Sequence, residues 1–376
     1  MFQADQRHSM LDRLSRVNWL VPVLVCVLAG AGAVTLTSVA GGSFSPWASR
    51  HTLRCVAGLA AMLVCALVPL RIWRALAVPT YVAALVLLIA VPLVGTEALG
   101  AKRWLTAGGF SIQPSEIMKV ALVLMLAWAY AQVPPNVRTH PLWVIPVIII
   151  IALPVVLTLH QPDLGTAVLF AGIGIAVMVL GGTPLWVFGA GIAGLIVAMP
   201  YAAARLQVYQ MKRIEVFLDP GRDPQGAGYH ITQARIALGN GGLNGQGYLH
   251  GSQSQLDFVP EKMTDFIFVI VGEEWGFWGT CAVLSVYAAL VGVLFVMALA
   301  ARDTFARLLI AGVAVSLSIY VVINIGMVTG LVPVVGVPLP LISYGGTSLI
   351  TLMIALGLAL SAGIERGRGF HRGRVA

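Results

Sequence analysis

The chain has 376 residues, of which 59% are hydrophobic and only 10% are charged, and its formal net charge is +8 at pH 7. This composition leaves no room for a large soluble domain outside a membrane. The sequence also contains no Gly-rich phosphate loop ending in Lys-Ser/Thr, no dinucleotide fingerprint and no His-Cys metal cluster. Because the apolar runs are continuous and do not alternate, they indicate membrane helices and not the strands of a β-barrel.

Ten segments are long and apolar enough to be membrane-spanning helices, each of which needs about 20 residues. In chain order they are approximately 17–39, 53–70, 74–95, 115–132, 142–160, 164–181, 184–203, 265–300, 305–332 and 343–363. The eighth is long enough to tilt strongly or to project beyond the bilayer. The first lacks a small-residue cleavage site, so we expect it to be retained. We therefore predict an all-α polytopic integral membrane protein with one domain over residues 1–376.

The positions of the arginines predict the orientation of these spans. Arginines occur before the first span, in the even-numbered connections and in the C-terminal tail. If ten spans cross the membrane, these positions share one side, and the positive-inside rule places both termini in the cytoplasm. Most acidic residues, with many basic ones, then lie in outer loops or in helices that begin at the outer side. This excess of charge predicts a site that faces outward.

The long connection, about 204–263, is expected to be extracytoplasmic and to contain two amphipathic helices. Their apolar stripes consist of Met211, Ile214 and Phe217 in the first and of Ile231, Ala234 and Leu238 in the second. Such helices lie on the membrane surface or cover a cavity. The Gly-rich run 239–247 is either a phosphate cradle made of backbone N–H groups or, as we expect, a flexible turn.

Asp265 is the strongest candidate for chemistry, because it lies where the long polar connection meets the eighth span. Carboxylates at membrane depth cost roughly 2.5–3.5 kcal/mol each on insertion scales, so they usually face a cavity or a partner. Such a carboxylate can act as a base, a ligand or a proton relay, or it can simply interact with the helix dipole. Glu273 and Glu274 lie deeper, and we expect one to face the cavity and the other a neighbouring helix.

Five motifs follow one another along the chain: QPSEIMK (113–119), HQPDLGTA (160–167), GNGGLNGQG (239–247), SQLDFVPEKMTDFIF (254–268) and VGVPLPLISYGGTS (335–348). They occur in the order seen in the SEDS family (shape, elongation, division and sporulation), and the chain resembles that family over essentially its whole length. The sequences SQSQLDF and VGVPLPL, together with the short tail, are more similar to the elongation branch of the family than to the division branch. The division branch stays the alternative. The chain departs from the family at Met263, where His is usual.

The resemblance implies a peptidoglycan glycosyltransferase in the bacterial cytoplasmic membrane. Such enzymes polymerise lipid II, a disaccharide-pentapeptide on undecaprenyl pyrophosphate, which would serve here as both donor and acceptor. Asp265 would be the general base of an inverting transfer, a role that typically contributes roughly 10²–10⁴-fold. A lipid II flippase is the rival, since charged residues in spans also suit transporters. The gathering of acids on the predicted outer half favours the polymerase.

The resemblance also implies partners and limits cofactors. A class B penicillin-binding protein, which cross-links the glycan product, is the expected partner, together with other proteins of the elongation complex. No nucleic acid is expected as a partner. No organic cofactor is expected, and a divalent cation, magnesium or manganese, is left open.

Several further residues are candidates for binding this substrate. Glu116 and Lys119 are spaced to pair on one helix face, where they either hold the sugar-pyrophosphate or form a structural ion pair. Asp163 either contacts substrate, a basic residue or an ion, or is the N-cap of the sixth span. Lys212 and Arg213 either neutralise pyrophosphate or attract anionic lipid headgroups.

Three more candidates have weaker support from the sequence. Glu261 either assists Asp265 or is a solvated loop acid. Trp104 suits a position at the membrane interface beside the site. Ser343, with Tyr344, is predicted to begin the tenth span at the outer face, where it either shapes the site or permits close helix packing.

Overall fold

The computed structural model describes residues 10–98, 101–107, 110–203, 211, 215–223, 226–256, 258–259 and 261–365. Most of them are helical. The helices before the long connection are α1 (Met10–Ser15), α2 (Leu20–Val39), α3 (Trp47–Leu67), α4 (Leu70–Val94), α5 (Pro114–Gln132), α6 (Pro135–Arg138), α7 (Pro141–His160), α8 (Leu164–Leu180) and α9 (Leu185–Ala203). After them come a 3₁₀ turn, Pro220–Arg222, and helices α10 (Ala227–Gly241), α11 (Ser252–Gln255), α12 (Ile267–Ala300), α13 (Thr304–Thr329) and α14 (Thr347–Ile364).

Each of the ten predicted spans corresponds to one of these helices. Eight, namely α2, α3, α4, α5, α7, α12, α13 and α14, are long and apolar enough to cross a membrane, while α8 and the apolar part of α9 are shorter. The protein is therefore an all-α polytopic membrane protein. The prediction for the tenth span is wrong at its start, because α14 begins only at Thr347. Ser343 belongs to the preceding loop, where Pro338, Pro340 and the positive φ of Leu341 (69°) prevent regular helix.

Helices α5, α13 and α14 form the centre of the bundle. Between 61% and 72% of the most apolar stretch of each is buried, against 28% for α3, α4, α7 and α12. The side chains facing outward from the peripheral helices are large and apolar, as lipid contact requires. Gly312 on α13 lies so close to α5 that an added Cβ would come within 2.6 Å of Val123. Small residues at such contacts let membrane helices approach closely.

A three-stranded antiparallel sheet lies between α4 and α5. Its strands are β1 (Thr96–Ala98), β2 (Ala101–Ala107) and β3 (Phe110–Ile112), in the order β1-β2-β3. Thr96 pairs with Trp104, and Leu105 pairs with Ile112. The sequence pattern did not predict these strands. We call this end of the bundle the sheet end.

Ion pairs join the chain at the opposite end. Arg13 contacts Glu365 at 3.3 Å, and Glu365 also accepts a hydrogen bond from the N–H of Leu70 at 3.1 Å. Arg74 pairs with Asp303, which is also the N-cap of α13. The acids described at this end therefore hold helix ends together.

Helix α12 is broken at Gly276, whose φ of 65° and ψ of −160° are not helical. The predicted eighth span is therefore not one continuous helix. The Gly-rich run fills the break: the N–H groups of Gln246 and Gly247 donate to the carbonyls of Glu273 and Glu274 at 2.9 and 3.0 Å. In the other direction, the N–H of Phe277 donates to Gly242 O at 2.9 Å. This pairing satisfies backbone groups that a broken membrane helix leaves open.

The Gly-rich run therefore contains the expected turn and is not a phosphate cradle, because the N–H groups of Gln246 and Gly247 bind carbonyls of α12. Its backbone packs against Gly276 so closely that a Cβ on Gly245 would collide with backbone atoms of α12. The second predicted amphipathic helix is confirmed as α10, in which Ile231 and Ala234 are buried, and it packs against α12 and α13. The first falls largely outside the described residues.

Candidate functional site

A cavity of about 400 Å³ opens at the sheet end. Its walls come from β2, the start of α5, the α7–α8 connection, the turn before α12, α13 and the loop before α14. The polar side chains that line it are Arg103, Trp104, Gln113, Glu116, Lys119, Asp163, Thr166, Glu261, Thr264, Asp265, Tyr320, Tyr344, Thr347 and Ser348. Six of the predicted site residues, namely Trp104, Glu116, Lys119, Asp163, Glu261 and Asp265, thus share one cavity. Lys212 and Arg213 lie outside the described residues.

Glu116 and Lys119 form the buried ion pair predicted from their spacing. Pro114 begins α5, which places both residues in its first turns at the cavity wall. Lys119 Nζ lies 2.7 Å from Glu116 Oε1 and 4.5 Å from the centre of the Tyr320 ring. The Tyr320 hydroxyl donates to the other Glu116 oxygen at 3.4 Å. The structural ion pair is therefore present, and the same pair faces the cavity.

Asp163 is the N-cap of α8, as one of its predicted roles requires. Its Oδ1 accepts from the N–H of Thr166 at 3.2 Å, and its Oδ2 accepts from the Thr166 hydroxyl at 2.9 Å. Arg103 reaches the same place from β2, with Nε 3.8 Å from Asp163 Oδ2 and Nη2 donating to Pro162 O at 2.5 Å. This contact ties the sheet to the α7–α8 connection and places a cation in the cavity wall.

Asp265 lies in a turn, residues 261–266, and not in the helix that follows. It is partly exposed and lines the cavity. Glu261 begins the turn with a φ of 49°, and its Oε2 accepts from the Thr264 hydroxyl at 3.0 Å. Gly336 approaches from the other side with a φ of 71°, and an added Cβ would lie 3.4 Å from Asp265 Oδ2. Glycine suits this position because it adopts a positive φ without strain and has no Cβ to crowd the Asp265 carboxylate.

Glu273 and Glu274 do not line this cavity, so the prediction that one of them faces it is wrong. Glu273 accepts hydrogen bonds from the N–H groups of Gln253 and Ser254, at 2.7 and 3.0 Å, and so caps α11. Glu274 accepts from the Ser38 hydroxyl of α2. Both glutamates are buried.

Ser343 was predicted to contact substrate, but its hydroxyl is bonded within the protein. It donates to Thr264 O at 2.6 Å and accepts from the N–H of Leu339 at 2.8 Å. Ser343 lines a smaller pocket of about 40 Å³, mostly apolar, which adjoins the cavity at Glu116 and Lys119. Its place in the structure is therefore to join the loop before α14 to the turn that carries Asp265.

His230 lies on the far side of the same turn. Its ring centre is 6.0 Å from that of Phe266, the residue after Asp265. Burial lowers the pKa of His230 below its ordinary value, although Glu261 and Asp223 act in the opposite direction. The residue therefore packs as a neutral ring beneath the site at neutral pH.

Several cavity residues were not selected from the sequence as site residues, namely Arg103, Gln113, Thr166 and Tyr320. Gln113 and Thr166 stand inside motifs that were recognised, and Arg103 is adjacent to Trp104, so a signal existed for these three. Tyr320 lies in the middle of an apolar span, where only the fold reveals that its hydroxyl faces Glu116.

Comparison with known proteins decides the family. The family model described as cell cycle protein, of the FtsW, RodA and SpoVE type, matches residues 14–367. The chain belongs to this family. The SEDS resemblance inferred from the five motifs is therefore confirmed, and the family includes both the elongation and the division branches.

Relatives of this SEDS protein cover most of its length. Peptidoglycan glycosyltransferase MrdB of Escherichia coli (strain K12) is 42% identical over 312 residues, covering 82% of this chain and 83% of that protein. Probable peptidoglycan glycosyltransferase FtsW of Trichlorobacter lovleyi is 35% identical, covering 94% and 95%. A chain in a solved peptidoglycan synthase complex, described for the coordination of polymerization and crosslinking, is 32% identical with a TM-score of 0.83, covering 94% and 99%.

Proposed function

We propose that this SEDS protein is a peptidoglycan glycosyltransferase that polymerises lipid II, with Asp265 as its general base. The relatives carry that enzyme name. The observation that carries the proposal is the cavity in which the Asp265 carboxylate stands together with the Glu116–Lys119 pair and Arg103. A base and two cations in one cavity suit the transfer of a sugar from a pyrophosphate.

In the proposed reaction, Asp265 accepts the proton of the 4-hydroxyl of the acceptor lipid II. The oxygen attacks the anomeric carbon of the donor, and a new glycosidic C–O bond forms with inversion. The bond from that carbon to the pyrophosphate breaks, and undecaprenyl pyrophosphate leaves with the electron pair. General-base catalysis needs the carboxylate within hydrogen-bond reach of the acceptor hydroxyl. The exposure of Asp265 to the cavity supports this role.

Arg103 and Lys119 are the proposed partners of the pyrophosphate. Both line the cavity, and fixed cations stabilise charge that develops on a leaving group. Among the residues that the structure describes, no three His, Cys, Asp or Glu side chains converge as metal ligands. A magnesium or manganese ion would therefore be held largely by substrate phosphates, as Mg²⁺ often is, and no step above depends on one.

We further propose that the protein lies in the bacterial cytoplasmic membrane with both termini in the cytoplasm and the cavity facing outward. The arginine distribution supports this orientation. A class B penicillin-binding protein is the proposed partner, since a structural relative belongs to a peptidoglycan synthase complex. The RodA-type elongation branch is favoured over the FtsW-type division branch by the motif sequences. It is also favoured by the identities, which are 42% for MrdB, a RodA-type protein, and 35–37% for FtsW relatives.

The test is polymerisation of labelled lipid II in detergent, with glycan strands separated on a gel. Wild type, Asp265→Ala and Asp219→Ala are each purified with the penicillin-binding partner. Asp219 is a matched control, because it is an acid of the long connection whose ion pair with Arg222 is exposed. We expect polymer from wild type and Asp219→Ala and none from Asp265→Ala.

Two other outcomes contradict the proposal. Equal polymer from Asp265→Ala and wild type removes Asp265 as the base. If the wild-type protein makes no polymer but moves lipid II across the bilayer of vesicles that contain the protein, the flippase interpretation replaces the polymerase.

A further inference from the structure

Three consecutive carbonyl groups of the turn before α12 are bound by side chains and backbone from later elements. The carbonyl of Met263 accepts from the N–H of Tyr344 at 2.8 Å. That of Thr264 accepts from the Ser343 hydroxyl at 2.6 Å. That of Asp265 accepts from Asn324 Nδ2 at 2.8 Å. The backbone that carries the proposed base is thus held at each of its last three peptide groups before Phe266.

Asn324 connects this turn to the loop before α14. Its amide nitrogen donates a second hydrogen bond to Val337 O at 2.7 Å, while its buried Oδ1 has no hydrogen-bond partner among the described residues. The side chain is fully buried near the C-terminal end of α13. A buried polar side chain in a membrane helix lowers stability unless hydrogen bonds offset the loss of its contacts with water. Here both bonds fix the spacing between Asp265 and the residue next to Gly336.

Ser343 performs the same function one residue earlier in the turn. Its hydroxyl accepts from the N–H of Leu339 and donates to Thr264 O, so it links two backbone segments through one oxygen atom. The loop that these bonds hold includes Gly336, which passes beside Asp265 Oδ2. The carboxylate is therefore bounded by a loop whose position Asn324 and Ser343 set.

We propose that Asn324 and Ser343 are positioning residues, which hold the Asp265 carboxylate at its place in the cavity by fixing the carbonyls of Thr264 and Asp265. This inference rests on the proposed role of Asp265 as the base. Neither side chain needs to touch substrate. Displacing a catalytic group by about 1 Å can cost on the order of 10²-fold in rate, so loss of these bonds acts through geometry.

The experiment measures polymerisation rates of Asn324→Ala, Ser343→Ala and Ser343→Thr, with thermal unfolding of each purified complex. Ser361→Ala is the matched control, since Ser361 is also buried and its hydroxyl donates to Val68 O at 2.6 Å, at the opposite end of the bundle. We expect Asn324→Ala to lower the maximal rate by about 10²-fold, and Ser343→Ala by about tenfold, with an apparent KM within about twofold of wild type. Ser343→Thr, which keeps the hydroxyl, is expected to retain most of the rate.

A purely structural role predicts a different result. In that case Ser343→Ala and Ser361→Ala lower thermal stability similarly and also affect the rate similarly, which overturns the proposal. A rate for Ser343→Thr as low as that for Ser343→Ala also overturns it, because packing and not the hydroxyl then matters. If Asn324→Ala does not fold, the three serine variants decide alone.

Asp265→Ala in the same assay separates this proposal from the proposed function. If Asp265→Ala is as active as wild type, the base assignment fails, and the positioning proposal fails with it. If Asp265→Ala is inactive while Asn324→Ala and Ser343→Ala lose no more rate than Ser361→Ala, only the positioning proposal fails.

Discussion

Acids lie at two levels along α12 and the turn before it, and the protein accommodates them in different ways. Asp265, in the turn before the helix, has its backbone held by hydrogen bonds while its side chain faces a cavity. Glu273 and Glu274, just before the break at Gly276, have side chains bound by N–H and hydroxyl donors of neighbouring segments. The first arrangement places the carboxylate at the wall of a cavity that a substrate can enter, whereas the second uses the carboxylates to attach α11 and α2 to the helix.

This difference shows that an acid within a membrane span does not by itself indicate a catalytic role. The cost of placing it there can be offset by a substrate-facing cavity or by donors within the protein. Only the position of each carboxylate in the folded protein distinguishes the two cases. The predictions below test that distinction, from the largest expected effect to the smallest.

Replacing Asp265 by Asn and Glu273 by Gln compares the two levels directly. Asp265→Asn keeps the shape of the side chain but removes the base, so the polymerisation rate should fall by roughly 10²–10⁴-fold. Glu273→Gln keeps an acceptor oxygen and should leave the rate of the folded protein near that of wild type. Glu273→Gln should lower the free energy of unfolding by about 1.5–3 kcal/mol, because the amide replaces a carboxylate as the acceptor of these hydrogen bonds. The gel assay measures the polymerisation rate and thermal unfolding measures the stability of each variant. An equal loss of rate in the two variants would contradict the distinction between a catalytic and a structural carboxylate.

Lys119→Met removes the cation of the buried pair and leaves Glu116 without it. Breaking a buried ion pair on one side typically costs about 3–5 kcal/mol of stability, because the remaining charge is uncompensated. The control is the double variant Glu116→Gln, Lys119→Met, which carries neither charge. We expect thermal unfolding to show recovery of stability in the double variant, while its polymerisation rate stays low because the cavity still lacks the cation of Lys119. Recovery of the rate as well would assign the pair a structural role alone.

Gly276→Ala tests the break in α12. A Cβ at this position would meet the backbone of the Gly-rich run, and a φ of 65° is strained for alanine. Residues in such conformations cost about 1–3 kcal/mol, and the collision adds to this. Gly292 is a matched control on the same helix, since a Cβ there meets nothing within 4 Å. The thermal midpoint should fall clearly in Gly276→Ala and should change little or rise slightly in Gly292→Ala. Equal midpoints in the two variants would mean that the break does not depend on glycine.

The pH dependence of stability should include a contribution from His230. Burial lowers its pKa in the folded protein from the ordinary value of 6.5, so the unfolded chain binds more protons as the pH falls below that value. Stability is therefore present above pH 6.5 and is lost as the pH falls through the lowered pKa. His230→Gln should flatten the change in thermal midpoint between about pH 7.5 and pH 5.5. An unchanged slope in this variant would show that other groups dominate.

The spans and six of the cavity residues were predictable because their signals are local. Hydrophobic runs of about 20 residues need no partner to be recognised, and the i, i+3 spacing of Glu116 and Lys119 fixes their common face. The strands of the small sheet were missed, since three short segments carry too little alternation. Asn324 was missed although a buried amide inside an apolar span is itself a signal, because its partners are 59 and 13 residues away.

By itself, the sequence determined the class of the protein, its helices, its family and the acid most suited to act as a base. These follow from composition, from hydrophobic length and from motifs that are continuous along the chain. Only the tertiary structure decided which acids face the cavity, because that depends on segments that are distant in the chain. Donors of α11 and α2 bind the carboxylates of Glu273 and Glu274, whereas Asn324 and Ser343 hold the turn that carries Asp265 beside the cavity. A carboxylate's role depends on its surroundings in space, and the linear pattern does not contain them.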